Sequence, residues 1–179
     1  MDRVVNTSRA RVAGQLVLLV FATGAGAAAR AKDCQLTILA NDRIQYNARA
    51  LQVDPSCTQI ELTLRHVGKE QAHVLGHDWV LARTSDVAAL ASAGMNAGFD
   101  NSYLPAGDKR VIAATKIVGG GDSTTTTFSM SKLAPGVEYS FFCSVPGHTS
   151  MMRGRFQVAS ADDLASNRAA GAAQAAPTR

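Results

Sequence analysis

Residues 58–65, TQIELTLR, alternate polar and apolar side chains without a break, with Ile60, Leu62 and Leu64 on one side and Gln59, Glu61, Thr63 and Arg65 on the other. A period of two belongs to a β-strand with one buried face and one wet face, and a helix cannot satisfy it. Such a strand needs partner strands beside it and a second layer over its apolar face. The chain supplies candidates at 35–39, 48–53, 79–82, 111–116, 124–130, 139–142 and 154–158, separated by turn sequences at Asp54-Pro55-Ser56, Gly119-Gly120-Gly121-Asp122 and Pro135-Gly136. About eight short strands punctuated in this way predict an all-β sandwich or Greek-key barrel. One segment departs from the rhythm. Residues 85–94 begin with the capping residue Ser85, continue through good helix formers and end on Gly94, so a short helix is expected between strands.

The two ends of the chain read differently from its middle. Arg3, Arg9 and Arg11 precede an apolar run from Val12 to Ala22, and a small-residue stretch then ends at Ala29-Arg30-Ala31. That order is the pattern of a secretory leader, and the run is short for a membrane span. Residues 1–31 are therefore expected to be removed, leaving one domain at 32–159 and an Ala-rich, flexible tail at 160–179. The leader carries four basic residues (Arg3, Arg9, Arg11, Arg30) and one acidic residue (Asp2), so its loss lowers the net charge by three, from +4 to +1. The remaining charges are scattered, and no basic stripe suggests nucleic acid.

Export gives the three cysteines meaning, because thiols in an oxidising compartment tend to pair. Cys34 and Cys57 flank strand-like segments, whereas Cys143 stands among histidine and methionine. Cys34–Cys57 is the expected disulfide, leaving Cys143 free.

Residues 141–154 read FFCSVPGHTSMMRG, which places a thiol, an imidazole and two thioethers on one loop with a tight return at Pro146-Gly147. Two His and one Cys in a plane, with a weak axial Met, is the ligand set of electron-transfer copper. Cu(I) favours soft sulfur and Cu(II) favours nitrogen, so a stiff site between the two preferences needs little rearrangement when one electron moves. The loop supplies Cys143, His148 and either Met151 or Met152, which spacing alone does not separate. A second histidine must come from His66, His73 or His77. His77 is preferred, since Gly76-His77-Asp78-Trp79 opens an apolar strand whose end can meet the Cys143 loop. His73 reads as an exposed loop residue and His66 as a histidine at the core edge.

These motifs resemble the azurin family of cupredoxins, the type 1 blue-copper proteins. The resemblance rests on FFCSVPGHTSMMRG, GHDW at 76–79, RVIAATK at 110–116 and the Cys34 and Cys57 pair, and it spans residues 33–158. It implies a Greek-key cupredoxin sandwich holding one copper through His77, Cys143 and His148, with Met152 as the distant axial ligand and the Gly76 carbonyl close by. It also implies a periplasmic carrier of single electrons, passing them between redox proteins such as a c-type cytochrome or a periplasmic reductase or oxidase, without stable membrane insertion. Asp78, Ser144 and Val145 are expected beside the ligands. Ile44, Val74, Leu75, Met95, Val145, Gly147 and Met151 are expected to form an apolar docking patch, and His66 falls at a position that couples protonation to redox state in some members.

Two departures from the family matter. Asp78 stands where asparagine is usual, and an ionised carboxylate can only accept hydrogen bonds. It is expected either to stay protonated through desolvation or to bind a loop N–H. Glu70 and Val145 also alter the patch, which is expected to be smaller and to select a different partner.

Three other chemistries compete for the same residues. A catalytic metal enzyme needs an open coordination position, and four protein ligands would fill this one. A Cys143–His148 nucleophile needs an oxyanion site and a cleft, for which the sequence gives no signal. Structural zinc generally takes more cysteine and no methionine.

Overall fold

The computed structural model describes residues 34–160 and 162–163. The expected leader at 1–31 and nearly all of the expected tail at 160–179 lie outside the described residues.

Among the described residues nine strands form two sheets. The elements in chain order are β1 (Gln35–Asn41), β2 (Gln45–Tyr46), β3 (Ala50–Val53), β4 (Gln59–His66), the short helix α1 (Ala72–Leu75), β5 (Val80–Arg83), helix α2 (Val87–Gly94), β6 (Ala113–Ala114), β7 (Ser123–Ser129), β8 (Tyr139–Phe142) and β9 (Arg153–Val158). The four-stranded sheet has the order β2-β1-β4-β7 and the five-stranded sheet β3-β9-β8-β5-β6. The chain crosses between the sheets repeatedly, and β1 runs parallel to β4 as β3 does to β9, so neighbours in sequence are often not neighbours in a sheet.

The alternation in β4 does what its sequence requires: Ile60, Leu62 and Leu64 are fully buried while Gln59, Glu61 and Arg65 are exposed. The core between the sheets is built around Trp79, whose ring centroid lies 6.2 Å from those of Phe128 on β7, Phe141 on β8 and Phe156 on β9. Strands β5 and β8 lack alternation because both of their faces are covered. Leu81 and Phe141 face the central core, whereas Val80, Ala82 and Phe142 pack under Val87 and Leu90 of α2. Burial on two faces selects continuous apolar runs.

The strand expected at 111–116 is shorter than its sequence suggests, with only Ala113–Ala114 in strand conformation. It is the edge of its sheet, held to β5 on one side through Ile112 N to Leu81 O at 2.9 Å and Thr115 N to Trp79 O at 2.9 Å. The helix expected at 85–94 is present, with Thr84–Asp86 forming a 3₁₀ turn ahead of α2. Cys34 and Cys57 form the expected disulfide, with Cα atoms 5.7 Å apart.

Candidate metal centre

The loop from Cys143 to Met152 joins β8 to β9 and closes on itself. Cys143 N donates to Met152 O at 3.0 Å, and Thr149 Oγ1 donates to Cys143 O at 2.9 Å. Val145–His148 is a tight turn in which His148 N donates to Val145 O at 2.9 Å, and Gly147 has a φ of 83°. Proline at the second position and a left-handed glycine at the third are what a type II turn demands. This turn aims His148 back toward Cys143. The His148 carbonyl then accepts from both Met151 N (2.9 Å) and Met152 N (2.8 Å), fixing the end of the loop.

His77 arrives from the other side. It follows α1 and pairs with Val118 through reciprocal backbone hydrogen bonds of 3.0 and 2.9 Å. Its Nε2 lies 2.9 Å from the Asn41 carbonyl. A carbonyl only accepts, so Nε2 carries the proton and the Nδ1 lone pair is free to face Cys143. Gly76 before it must be glycine for space, because a Cβ there would stand 2.2 Å from the Ala72 carbonyl oxygen and 2.6 Å from Ile117 Cγ2.

Cys143 Sγ lies 4.0 Å from His77 Nδ1 and 3.7 Å from His148 Nδ1, and the three ligand atoms lie within 4.8 Å of one another. With metal–nitrogen bonds of about 2.0 Å and a metal–sulfur bond of about 2.3 Å, trigonal coordination places each nitrogen about 3.7 Å from the sulfur. The donor set therefore fits a single metal ion. Met152 is fully buried at this loop, whereas Met151 is 44% exposed.

Burial sets the protonation of these groups. It pulls the His77 imidazole down to about 4, partly offset by the Asn41 hydrogen bond, and it lowers His148 as well. Both rings are thus neutral ligands at neutral pH. Burial, reinforced by the nearby Asp78 carboxylate, pushes the Cys143 thiol up, so a bound cation's charge is what would remove its proton. Asp78 is itself pushed up to about 6 by burial, against the pull of hydrogen bonds from Ser144. Its Oδ1 accepts from Ser144 N at 2.8 Å, and Ser144 Oγ lies 2.6 Å from its Oδ2. Asp78 therefore does bind a loop N–H and ties the His77 segment to the Cys143 segment. The buried Tyr46 hydroxyl adds a second tie by donating to the Asp78 carbonyl.

The other histidines lie outside the ligand cluster. His66 is buried and stacks on His77 with ring centroids 4.8 Å apart and planes 12° from parallel. It is fixed by the Leu75 carbonyl at Nε2 (2.9 Å) and by Gly68 N at Nδ1 (3.1 Å). His73 is exposed on α1, stacked on Phe99 at 3.9 Å. Of the expected docking residues, Val74, Met95, Met151 and Gly147 are exposed and Ile44, Leu75 and Val145 are half-buried. Sequence reasoning missed Arg49, whose Nη1 donates to the carbonyls of Met151 (2.7 Å) and Arg153 (3.3 Å), the residues on either side of Met152. It lies a hundred residues away along the chain and carries no local signal.

Comparison with known proteins agrees with this geometry. The family of copper binding proteins described as plastocyanin/azurin matches residues 32–159. The chain is 48% identical over 128 residues to an azurin from Achromobacter denitrificans, covering 72% of this chain and 86% of that one. It is 46% identical over 126 residues to an azurin from Pseudomonas fluorescens biotype A, covering 70% and 98% respectively. Among solved structures, an azurin from Methylomonas sp. strain J superimposes with a TM-score of 0.69 at 41% identity, covering 71% of this chain and 98% of that chain. Among the described residues no helix is long and apolar enough to cross a membrane. Two imidazoles and a thiol converging at coordination distance, on a fold shared with azurins, leave one conclusion: the chain belongs to the plastocyanin/azurin family and is a blue-copper electron-transfer protein rather than an enzyme.

Proposed function

We propose that His77 Nδ1, Cys143 Sγ and His148 Nδ1, together with Met152 and the Gly76 carbonyl, would hold one copper ion. The observation that carries this reading is the pair of N–S separations, 4.0 and 3.7 Å, close to those a trigonal ion requires. Met152 is assigned over Met151 because it alone is buried with the other three. Copper supplies the one-electron Cu(I)/Cu(II) couple when bound.

The protein's part is to keep the donors still and dry. His77, Cys143 and Met152 have no solvent exposure, and His148 has 7%, so the His148 ring edge is the group closest to water and the natural point of electron exit. Asp78 ties the His77 segment to the Cys143 segment and the Asn41 carbonyl ties His77 to β1, which resists movement when the charge changes. A buried thiol with its pKa pushed up is also a poor free nucleophile, which argues against a Cys–His hydrolytic role. Around His148, the exposed Val74, Met95 and Met151 with Val145, Leu75, Ile44 and Gly147 serve as the contact face for a redox protein such as a c-type cytochrome. The charge, apolar and small-residue order of residues 1–31 supports delivery to the periplasm with cleavage near Ala31.

Stoichiometric Cu(II) added to the reduced, metal-free protein is expected to produce an intense visible thiolate-to-copper band. Cys143→Ser should abolish it, and Met152→Leu should keep the colour with an altered potential. A colourless protein, or equal colour in Cys143→Ser, would overturn the assignment.

A further inference from the structure

A groove of about 810 Å³ lies along β8 and β9 and holds an uneven distribution of charge. Three arginines line it: Arg153 and Arg155, two residues apart on β9 and both exposed, and Arg49 from the turn before β3. Glu138 is the one acidic residue among its lining. Among the described residues the ion pairs are His66–Asp42 and Arg110–Asp108, so none of these three guanidiniums is neutralised by a carboxylate. Gathering like charges around one concavity costs stability through repulsion and raises the local attraction for anions. Apolar residues also line the groove, among them Leu133, Val137 and a 40% exposed Val158.

Size and composition select among anions. The volume falls in the range of sites that bury an extended peptide or a drug-sized molecule, far above what an inorganic ion fills. Three arginines offset by one glutamate fall short of the four to eight clustered basic residues that read an anionic membrane. Tyr139 and Phe156 of the lining are buried, so no ring is offered for stacking a nucleobase. Guanidinium groups pair bidentately with carboxylates. Arg49 also extends the groove toward the metal centre, because its Nη1 hydrogen-bonds the carbonyl of Met151, whose side chain is exposed at that end.

We propose that this groove receives an acidic, partly apolar segment of the redox partner, anchored by Arg153 and Arg155 while the partner's redox centre meets the His148 face. The proposal rests on the electron-carrier reading above.

The test is a titration of the Cu(I)-loaded protein with a short alternating Glu/Leu peptide, followed by backbone amide NMR at low and high salt. Saturable shifts are expected at Val137, Ser140, Arg155 and Gln157, weakening with salt. The Arg153→Gln/Arg155→Gln variant, checked for an unchanged visible band, should bind about tenfold more weakly. Glu138→Gln, which removes the competing anion, should bind more tightly and provides an independent test if the double variant does not fold. Shifts that do not saturate, equal affinity in both variants, the same footprint with inorganic phosphate at equal affinity, or binding to phosphatidylglycerol vesicles without binding to peptide would each overturn the proposal. A protein that is coloured with Cu(II) but ignores the peptide when reduced refutes the groove alone, whereas peptide binding by a protein that stays colourless with Cu(II) refutes the metal assignment.

Discussion

Asp78 and Ser144 show how one carboxylate in place of an amide is absorbed. Ser144 Oγ sits 2.6 Å from Asp78 Oδ2 and 2.7 Å from the Ser102 carbonyl, yet a hydroxyl has one hydrogen to give. Both contacts are satisfied when Asp78 Oδ2 carries a proton and donates to Ser144, which donates onward to Ser102. The carboxyl, raised by burial to about 6, is poised for that arrangement below neutrality. Its folded value lies above the ordinary 3.8, so between those values the native state binds more protons than the unfolded chain and stability falls as pH rises. His77 and His148, lowered by burial, work in the opposite direction, His77 over much the same range. The difference between wild type and Asp78→Asn isolates the carboxyl. In urea unfolding of the metal-free proteins, the wild type is expected to lose stability relative to Asp78→Asn from about pH 4 to about pH 6 and to stay level above. In the copper-loaded protein at alkaline pH, removing this anion is expected to raise the potential by something on the order of tens of millivolts. Parallel stability curves with equal potentials would show that Asp78 holds no charge that matters. At this scale the ligand types and the importance of Asp78 were readable from the chain. The choice of Met152 over Met151 came from the family resemblance alone, because adjacent residues in a loop share every spacing signal and differ only in which one the turn buries.

Strands were legible in proportion to their length and to the simplicity of their surroundings. β4, with one wet face, reads directly from TQIELTLR, and β8 from an apolar run bounded by turns. β2 and α1, of two and four residues, are too short for either period to repeat and exist because Asn41, Ile44 and Gly76 place hydrogen bonds around them. β1 connects the two ends of the molecule: it begins beside Cys34 and finishes at Asn41, whose carbonyl holds His77. Seven residues of strand separate those ends by about 20 Å. The disulfide, closing a separation of 23 residues, is therefore a clamp on the frame rather than a part of the site. Cys34→Ser/Cys57→Ser is expected to lose about 3 kcal/mol in urea unfolding, on the loop-entropy account, while keeping its visible band and potential. A shifted band in the folded variant would mean that strain at one end of β1 reaches the metal, contrary to a frame of packed strands.

The sandwich of described residues closes on Trp79. Its ring touches aromatic residues of both sheets, and the indole Nε1 is the one fully buried side-chain polar atom without a hydrogen-bond partner among the described residues. An orphaned donor costs stability, and the site tolerates it because the ring fills a space that both sheets need filled. The residue two positions before it is His77, so the segment leading into β5 carries both the core's central ring and a metal ligand. Packing and coordination are thereby parts of one cooperative unit. Since the chain has a single tryptophan, its fluorescence reports that unit alone. Emission from the folded, metal-free protein is expected to lie well to the blue of indole in water, shifting red in a single transition that coincides with loss of β-sheet circular dichroism. Metal binding to the native state alone should move that transition upward, by about 4 kcal/mol at a thousandfold excess over the dissociation constant. Two separate transitions, or an emission in the folded state resembling that of exposed tryptophan, would show that the sheets are not held together through this ring. The ligand cage would then owe its stiffness to its own loops and not to the sandwich beneath it.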